Sequence, residues 1–587
     1  MTNERSNATI PSGPRFAIGV DYGTSSARAL VVDITNGAEV GAATWAYAHG
    51  RDGVVLDERE PDLARQHPAD YVEGFRRAVG DAVRDAMRSP GFAPERVVGI
   101  GVDTTGSTPI PVDHAGTALA LTERFADDPA AMAWLWKDHT AHAEAAEITE
   151  RIRAAGLPYL ETCGGVYSSE WYWSKILHCE RRAPEVAAAA ASWVELCDFV
   201  PALVTGTALP ERIARSVCAA GHKAMYHPRW GGLPSASFLD GLKPGLARLR
   251  EGYATPALTA DRAAGGLLPA WGEAVGLPAG VPVAVGAFDA HMGAVGAGIR
   301  EGTLVKIMGT STCDCMVAPL ESRASPMASP LLIPGVCGIV PGSVLPGMLG
   351  IEAGQSAVGD IFDWYVSRIA RDHGSSAAER HASLSAEAAR LVPGASGLLA
   401  LDWHNGNRTV LVDPRLSGLL LGQSLHTTHA EIYRALIEAT AFGALTIIER
   451  IESCGVPVRD IVACGGLAER NPLLMQIYAD ICGRPIAVSR SAQTCALGAA
   501  IFGSVAGGGH PDVASAQRAM AGVRAERYTP DPQRHATYRR LFALYRALHD
   551  SFGLPDCAAP LGHVMKELLA IRDAARQQPR TQPRSAP

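Results

Sequence analysis

The sequence predicts an α/β protein made of two lobes with a cleft between them. Its 587 residues are too many for one ordinary hydrophobic core, so two large domains are expected. Apolar strand runs alternate with helical stretches in both halves, which predicts largely parallel central sheets. A strand, a Gly-Thr-Ser turn and a second strand occur once in each half, within residues 16–33 and 304–317. We interpret the two halves as a duplicated architecture.

The first half begins with a predicted β-hairpin. Apolar runs at 16–20 and 27–32 flank a short turn that contains Gly and Ser, which is typical of two paired strands. Residues 68–88 carry apolar side chains four positions apart and predict a helix. The apolar run 97–102 predicts a further buried strand.

The second half repeats this order of elements. Its predicted strands are 281–285, 304–308, 313–317, 461–464 and 486–488, and its predicted helices are 428–454, 472–482 and 496–504.

The lobe boundary is predicted near the strand at 281–285. The N-terminal lobe then spans 16–283 and the C-terminal lobe spans 284–570. Residues 1–15 are polar and are predicted to be a disordered leader, and the polar, Pro-rich residues 571–587 are predicted to be a disordered tail.

Composition excludes several classes of protein. Hydrophobic residues make up 47% and charged residues 19%, as in globular proteins, and the net charge of −7 predicts no nucleic-acid partner. No apolar run is long enough to span a bilayer, and the N-terminus lacks the apolar core of a secretory signal. The twelve cysteines form no Cys-x-x-Cys motif, which favours reduced thiols and a cytoplasmic location without a membrane partner.

The two Gly-Thr-Ser turns are candidate phosphate-binding loops. Glycine lets backbone N–H groups approach anionic oxygens, and the hydroxyl groups of Thr24, Ser25 and Thr310 add donors. On its own, one such turn is explained better by a tight hairpin that needs glycine. Two turns at matching places predict a nucleotide held between the lobes, with Gly309 and Thr310 on the second side.

Other nucleotide-binding and metal-binding motifs are absent from the sequence. It contains no Gly-Lys pair, which excludes a P-loop, and no Gly-x-Gly-x-x-Gly closes the first strand. His-Glu-x-x-His is absent as well.

Two aspartates stand at predicted strand ends, where α/β folds bind ligands. Phosphoryl transfer to an alcohol needs a base for the hydroxyl proton and Mg²⁺ for the phosphate charge. Asp289 is the candidate base, and Asp21, before the first turn, is the candidate that holds Mg²⁺ through water. A capping or turn role remains an alternative for either one, and His291 is interpreted as a structural neighbour.

These motifs coincide with those of a known family. Residues 19–28, GVDYGTSSAR, resemble the opening signature of the FGGY carbohydrate kinases. Further segments resemble the L-ribulokinase branch of that family: 101–108 (GVDTTGST), 135–141 (LWKDHTA), 221–223 (GHK), 350–360 (GIEAGQSAVGD) and 403–408 (WHNGNR). The similarity extends from about residue 16 to about residue 570.

The resemblance implies two actin-like, ribonuclease H-like lobes and the ATP-dependent phosphorylation of L-ribulose at its terminal hydroxyl. It implies that Asp289 is the general base. It also implies that Gly106, Lys223 and Glu352 line the sugar pocket together with Asp289. By the same resemblance Gly309 and Thr310 bind phosphate, and Gly465, Gly466 and Asn471 bind the adenosine side of ATP.

Several alternatives remain open from the sequence. Lys223 could be a surface lysine, Glu352 could belong to the first turn of a helix, and Trp136 could stack on a sugar or belong to the core. The substrate could be D-ribulose, xylulose or a pentitol such as ribitol, and a non-catalytic sugar or nucleotide sensor could use the same scaffold. A homodimer is also left open.

Overall fold

A computed structural model describes residues 13–253, 256–320, 332–557 and 560–577. In these parts of the chain two mixed seven-stranded sheets, one in each half, are joined by helices that pack on both. The strands, in chain order, are β1 (Phe16–Tyr22), β2 (Ser26–Asp33), β3 (Glu39–Ala46), β4 (Val55–Asp57), β5 (Glu60–Gln66), β6 (Val97–Thr104), β7 (Pro109–Val112), β8 (Ala133–Trp134), β9 (Ser192–Glu195), β10 (Ala263–Gly266), β11 (Pro282–Ala284), β12 (Ala287–Phe288), β13 (Thr303–Met308), β14 (Thr312–Pro319), β15 (Gly338–Pro341), β16 (Met348–Ala353), β17 (Leu399–Leu401), β18 (Leu419–Leu421), β19 (Asp460–Cys464), β20 (Ile486–Ser489) and β21 (Val523–Tyr528).

The α-helices, in chain order, are α1 (Pro68–Gly74), α2 (Gly80–Ala86), α3 (His142–Ala154), α4 (Tyr172–Arg182), α5 (Pro184–Ala189), α6 (Leu196–Thr205), α7 (Val217–Lys223), α8 (Ala236–Leu242), α9 (Pro269–Val275), α10 (Asp289–Gly296), α11 (Gly359–Trp364), α12 (Ala377–Ala389), α13 (His429–Ser453), α14 (Gly466–Arg470), α15 (Pro472–Cys482), α16 (Thr494–Ala506), α17 (Val513–Met520), α18 (Pro532–Gly553) and α19 (Val564–Gln577). A π-helical turn, Phe75–Val79, joins α1 to α2 into one longer helix. None of the helices within the described residues combines the length and the apolar character needed to cross a bilayer.

The two sheets share one topology. In the first sheet β3, β2 and β1 form an antiparallel meander, and β6 and then β11 continue it in parallel with β1. In the second sheet β16, β14 and β13 are likewise antiparallel neighbours, with β15 on the outer side of β16, and β19 and β20 continue the sheet in parallel with β13. The predicted duplication is therefore present in the strand order of both lobes.

The prediction of largely parallel sheets is wrong. A three-residue turn between β1 and β2 returns the chain directly alongside itself, and such a connection requires antiparallel strands. The same holds for β13 and β14. Parallel pairing is limited to strands reached through longer connections.

One helix from each half packs against the sheet of the other half. Helix α10 follows β12 of the first sheet and contacts β13 and β14 of the second. Helix α16 follows β20 of the second sheet and contacts β1 and β6 of the first, and the two helices also pack on each other. A buried apolar cluster with members from both halves, including Leu30, Ala294, Val305 and Ile501, fills this region.

The chain changes sheets between Phe288 and Thr303, a few residues after the predicted lobe boundary at 283/284, because β12 still pairs with β6. At the C-terminus, residues 571–577 do not form the predicted disordered tail but continue α19. Ile571 and Ala575 on this helix are buried, which stabilises its last turns. Residues 1–12 and 578–587 lie outside the described residues.

Candidate active site

Three aspartates meet at the carboxyl edge of the first sheet. Asp21 lies near the end of β1 and is paired in register with Asp103 on β6. Asp103 is in turn paired with Ala287 on β12, and Asp289 follows two residues later as the first residue of α10. Arg28 lies beside this group, with its Nη1 3.3 Å from Asp21 Oδ2. The sheet register therefore brings Asp21 and Asp289 close together, as their predicted roles require.

Asp103 belongs to this group although sequence reasoning gave it no role. It is fully buried, and neither of its carboxylate oxygens has a hydrogen-bond partner among the described residues. Burial, followed by the charges of Asp21 and Asp289, raises its pKa well above the usual range. The signal was present in the sequence, because Asp103 ends its apolar strand as Asp21 does.

The carboxylate group fits the predicted magnesium ion. Mg²⁺ prefers oxygen ligands and keeps several of its waters, and it is usually held by one or two carboxylates together with phosphate oxygens. The partnerless oxygens of Asp103 and the adjacent Asp21 offer this donor set. Burial raises the pKa of Asp21 and Arg28 lowers it, with a net upward shift.

Asp289 has the properties of a general base. Its Oδ1 accepts a hydrogen bond from the Ala290 N–H at 2.7 Å, and within the described ranges the carboxylate forms no further hydrogen bond or ion pair. Desolvation, followed by the charge of Asp21, raises its pKa to about 7. A carboxylate with this pKa can hold a proton taken from a substrate hydroxyl at neutral pH.

Lys223 and Glu352 form an ion pair between the lobes. Lys223 is the last residue of α7 in the first lobe, and Glu352 lies on β16 in the second; Lys223 Nζ is 3.2 Å from Glu352 Oε1. The lysine side chain is only 7% exposed, so it is not a surface lysine. Since Glu352 is on a strand, the alternative of a helix N-terminus is also wrong.

The electrostatics of this pair keep both partners charged. Burial alone would raise the pKa of Glu352, but Lys223, then His222 and His291, lower it to well below the usual value. Burial alone would lower the pKa of Lys223, and attraction to Glu352 raises it instead. A charged donor and a charged acceptor therefore face the same space.

Aromatic rings form the surroundings of Lys223. Its Nζ lies 5.5 Å from the ring centre of Trp171 and 5.6 Å from that of Phe288. A Cβ atom on Gly106 would lie 1.9 Å from the Phe288 ring, so only glycine fits there. Gly106 therefore lies against Phe288, close to Lys223; neither Phe288 nor Trp171 was predicted as a neighbour of Lys223.

The first phosphate turn is held by side chains from several elements. Trp136 Nε1 donates to Thr24 Oγ1 at 3.1 Å, and Gln66 Nε2 donates to the Thr24 carbonyl at 2.7 Å. The Tyr47 N–H donates to the Ser25 carbonyl at 3.0 Å. The turn is accessible at Ser25, so a ligand can reach its hydroxyl.

Asp138, for which the sequence suggested no role, supports the same region. It is fully buried, forms an ion pair with Arg65, and accepts a hydrogen bond from the Ala64 N–H at 2.8 Å. Trp136 is partly buried beside Leu135. The segment 135–141 therefore anchors the first phosphate turn to β5.

The predicted second phosphate turn and the predicted adenosine-side motif lie on neighbouring strand ends. Gly309 and Thr310 are exposed after β13, and Gly465 follows β19, which pairs with β13. A Cβ atom on Gly465 would lie 2.6 Å from the Met308 carbonyl oxygen, so this turn passes directly beside the other; Gly466 then begins α14. Asn471 lies further along, where its Oδ1 caps α15 by accepting from the Leu474 N–H at 3.0 Å.

Two histidines adjoin Glu352. His222 Nδ1 and His291 Nε2 lie 3.3 Å and 3.5 Å from Glu352 Oε2. Burial lowers the pKa of both rings, that of His291 to about 4. His291, predicted to be a structural neighbour, therefore lies directly beside Glu352, the carboxylate predicted to bind the sugar.

Known proteins resemble this chain over most of its length. The C-terminal domain of the FGGY family of carbohydrate kinases matches residues 304–507. A ribulokinase of Vibrio parahaemolyticus is 40% identical over 91% of this chain and 96% of its own length. A ribulokinase of Mycolicibacterium smegmatis is 42% identical over 93% of this chain and 95% of its own length.

Solved structures share the fold. A xylulose kinase from Rhodospirillum rubrum superposes with a TM-score of 0.73 at 24% identity, covering 92% of this chain and 99% of that protein. A Plasmodium falciparum glycerol kinase with ADP gives 0.73 at 14% identity, over 93% and 99%. The predicted two-lobed, actin-like α/β fold is confirmed. The family model and the relatives about 40% identical over most of the chain show that this chain belongs to the FGGY family of carbohydrate kinases.

Proposed function

We propose that this protein is an ATP-dependent ribulokinase that phosphorylates L-ribulose at its terminal hydroxyl to give L-ribulose 5-phosphate and ADP. The observation that carries the proposal is the position of Asp289, a carboxylate with a pKa raised to about 7, beside the buried Lys223–Glu352 pair. Relatives about 40% identical over more than nine-tenths of the chain are ribulokinases, which supports the sugar class.

Asp289 would act on the hydroxyl group that receives the phosphoryl group. In its ionised form it accepts the proton of that hydroxyl as the oxygen attacks the γ-phosphorus of ATP. Asp21 lies nearby on β1, and its charge, after desolvation, raises the pKa of Asp289, which makes Asp289 a stronger base. The new P–O bond forms as the bond to the β-phosphate oxygen breaks, and ADP leaves.

Binding of ATP would use both lobes. The turn with Thr24 and Ser25 and the turn with Gly309 and Thr310 supply backbone and hydroxyl donors to phosphate oxygens, and the turn at 465–466 lies on the adenosine side. Asp21 and Asp103 would hold Mg²⁺. When bound, Mg²⁺ neutralises charge on the β- and γ-phosphates.

Selection of the sugar would depend on Lys223 and Glu352. A buried ammonium donates to hydroxyl oxygens and a buried carboxylate accepts from hydroxyl protons, so together they test the arrangement of a polyol. A sugar that leaves either group without a hydrogen-bond partner binds much more weakly, because a buried charged group without a partner is unfavourable. Lys223 and Glu352 come from different lobes, so the pocket is complete only when the two lobes approach each other.

We expect the enzyme to act in the cytoplasm, where ATP is available, with small-molecule substrates as its partners. All twelve cysteines are free thiols, which agrees with a reducing compartment.

A panel of sugars tests the proposal and its alternatives. ADP release is measured with MgATP and L-ribulose, D-ribulose, L-xylulose or ribitol. The proposal predicts the highest kcat/KM with L-ribulose. A higher value with another pentulose or pentitol would reassign the substrate. ATP binding without turnover of any sugar would favour the sensor alternative.

A further inference from the structure

The cluster of His222, His291 and Glu352 is not explained by hydrogen bonding. All three side chains are buried or nearly so, and the two imidazole rings lie 4.6 Å apart. Both ring nitrogens of His291, His222 Nδ1 and Glu352 Oε2 have no hydrogen-bond partner among the described residues. Of the four ring nitrogens, only His222 Nε2 has a partner in the described part of the chain, the Ser343 hydroxyl at 3.0 Å. Four partnerless polar atoms in one buried place are unusual, because buried polar atoms nearly always have partners.

Two distances in the cluster match those between ligands of one ion. With metal–nitrogen and metal–oxygen bonds of about 2.0–2.2 Å, two ligands of a tetrahedral ion lie roughly 3.3–3.5 Å apart. Glu352 Oε2 is 3.3 Å from His222 Nδ1 and 3.5 Å from His291 Nε2, and all three donors lie within 4.8 Å of one another. The nitrogens are close to the oxygen and yet form no hydrogen bond with it. The two histidine nitrogens are therefore directed past Glu352 Oε2 and not at it, as the lone pairs of ligands that share one ion are.

We propose that His222, His291 and Glu352 form a binding site for a first-row transition-metal dication of the Zn²⁺ type, separate from the magnesium carboxylates. Two imidazoles and one carboxylate are a common ligand set for such ions, and they leave a further coordination position open. The neutral imidazole is the form that binds metal, and burial keeps both rings neutral at pH 7. The ligands come from three distant parts of the chain, so no sequence motif shows them.

Mg²⁺ would not compete at this site, because it prefers oxygen ligands in octahedral geometry. Glu352 presents one oxygen, Oε1, to Lys223 and the other, Oε2, to the histidines. A dication on Oε2 therefore withdraws negative charge from the group that grips the sugar. We infer that the metal weakens sugar binding, a consequence that rests on the proposed function.

Metal binding is tested first without ATP or sugar. Zn²⁺ is titrated calorimetrically into the full-length protein in excess Mg²⁺, and Co²⁺ replaces it for visible absorption of a four-coordinate ion. Wild type is expected to bind one ion at this site. His222→Gln, His291→Gln and Glu352→Gln should each weaken binding roughly 100-fold, since each removes a ligand.

The matched control lies in a partly exposed cluster of Asp372, His373 and His429. His373→Gln should leave the high-affinity Zn²⁺ site unchanged. Thermal unfolding checks each variant: Zn²⁺ should raise the Tm of wild type and of His373→Gln but not of the three buried-site variants. Unchanged affinity in all three buried-site variants, loss only in His373→Gln, or no specific binding to wild type would overturn the site.

The effect on the sugar is measured separately. In wild type Zn²⁺ should raise the KM for L-ribulose but not for ATP, and in His291→Gln this rise should disappear. Zn²⁺ bound at the site with an unchanged sugar KM would overturn the antagonism. An inactive protein that still binds Zn²⁺ would contradict the proposed function and leave the metal site standing.

Discussion

At the scale of single residues, the Lys223–Glu352 ion pair links the two lobes at the predicted sugar pocket. The pair is buried, bridges the lobes and is surrounded by Phe288, Trp171 and two histidines. A substitution that removes charge without changing shape separates its role in sugar binding from its role in packing.

Glu352→Gln should raise the KM for L-ribulose roughly 10- to 100-fold, because a hydrogen bond to a charged group is lost. The KM for ATP should change little, since the phosphate turns lie elsewhere. Steady-state kinetics with each substrate varied in turn measures both values. Glu387→Gln on α12 is the control and should resemble wild type. Equal effects on the two KM values, or none, would remove Glu352 from the sugar pocket.

Asp289 should also affect stability, with a sign set by its pKa. Burial raises the folded-state pKa to about 7, above the value near 3.9 of an unfolded aspartate. The folded state therefore binds the proton more tightly, and wild type loses stability as pH rises from about 4 to about 7. Asp289→Asn removes this loss.

The gain in Tm of Asp289→Asn over wild type should consequently be larger at pH 8 than at pH 4. Thermal unfolding followed by circular dichroism at the two pH values measures it, with Asp573→Asn on α19 as the control. The same gain at both pH values would mean that the carboxylate of Asp289 is not destabilised by burial.

At the scale of elements, the β13–β14 hairpin that carries the second phosphate turn is held by a buried lysine. Lys306 Nζ contacts both oxygens of Asp314, at 2.8 and 2.9 Å, and Gln355 Oε1 at 2.9 Å. Gln355 in turn donates to Asp402 Oδ2 at 2.8 Å. This network ties the hairpin to the interior of the second lobe.

Lys306→Met should destabilise the protein by about 3–5 kcal/mol, because Asp314 is left buried without its partner. The double variant Lys306→Met/Asp314→Leu removes both charges and should recover much of that loss. Chemical denaturation gives the free energies of unfolding. If the double variant were as unstable as the sum of two independent losses, the two residues would not be coupled.

The hairpins also show how far the sequence could predict the structure. Helix α15 and strand β13 matched their apolar patterns closely, because local periodicity determines such elements. The mixed character of the sheets was missed, because the alternation of strands and helices was taken to predict parallel pairing although the short turns after β1 and β13 require antiparallel neighbours. Asp103 was missed as well: its place at the end of an apolar run was a signal in the sequence, but its position beside Asp21 follows from the register of β1 and β6.

Contacts between side chains of distant segments could not be predicted from the sequence. Nothing in the local pattern brings His222 and His291 to Glu352 or Trp136 to Thr24. The resemblance to a family predicted that Lys223 and Glu352 line the sugar pocket, but only the structure shows that they form an ion pair.

At the scale of the whole molecule, each lobe is completed by a helix from the other half. Helix α16 lies so close to the first sheet that a Cβ atom on Gly101 would be 1.8 Å from the Ala499 carbonyl oxygen. Gly19 approaches the Ala496 carbonyl in the same way. Glycines on β1 and β6 therefore permit the contact between the lobes.

Gly101→Ala should destabilise the protein by about 1–3 kcal/mol or more, since α16 must move away from the sheet. Gly241→Ala in α8 is the matched control, because a Cβ atom there meets nothing within 4 Å. The control should be neutral or slightly stabilising. Comparable losses for the two variants would show that close packing of α16 is not what requires glycine at 101.

In the proposed reaction, Asp289 takes the proton of the sugar hydroxyl between the two lobes. The most direct measurement compares the rates of L-ribulose phosphorylation by wild type and Asp289→Asn across pH. Loss of the base should lower kcat by about 10²–10⁴-fold. In wild type kcat/KM should fall as pH drops below about 7, because Asp289 becomes protonated. A folded Asp289→Asn variant that phosphorylates L-ribulose at the wild-type rate would contradict the account.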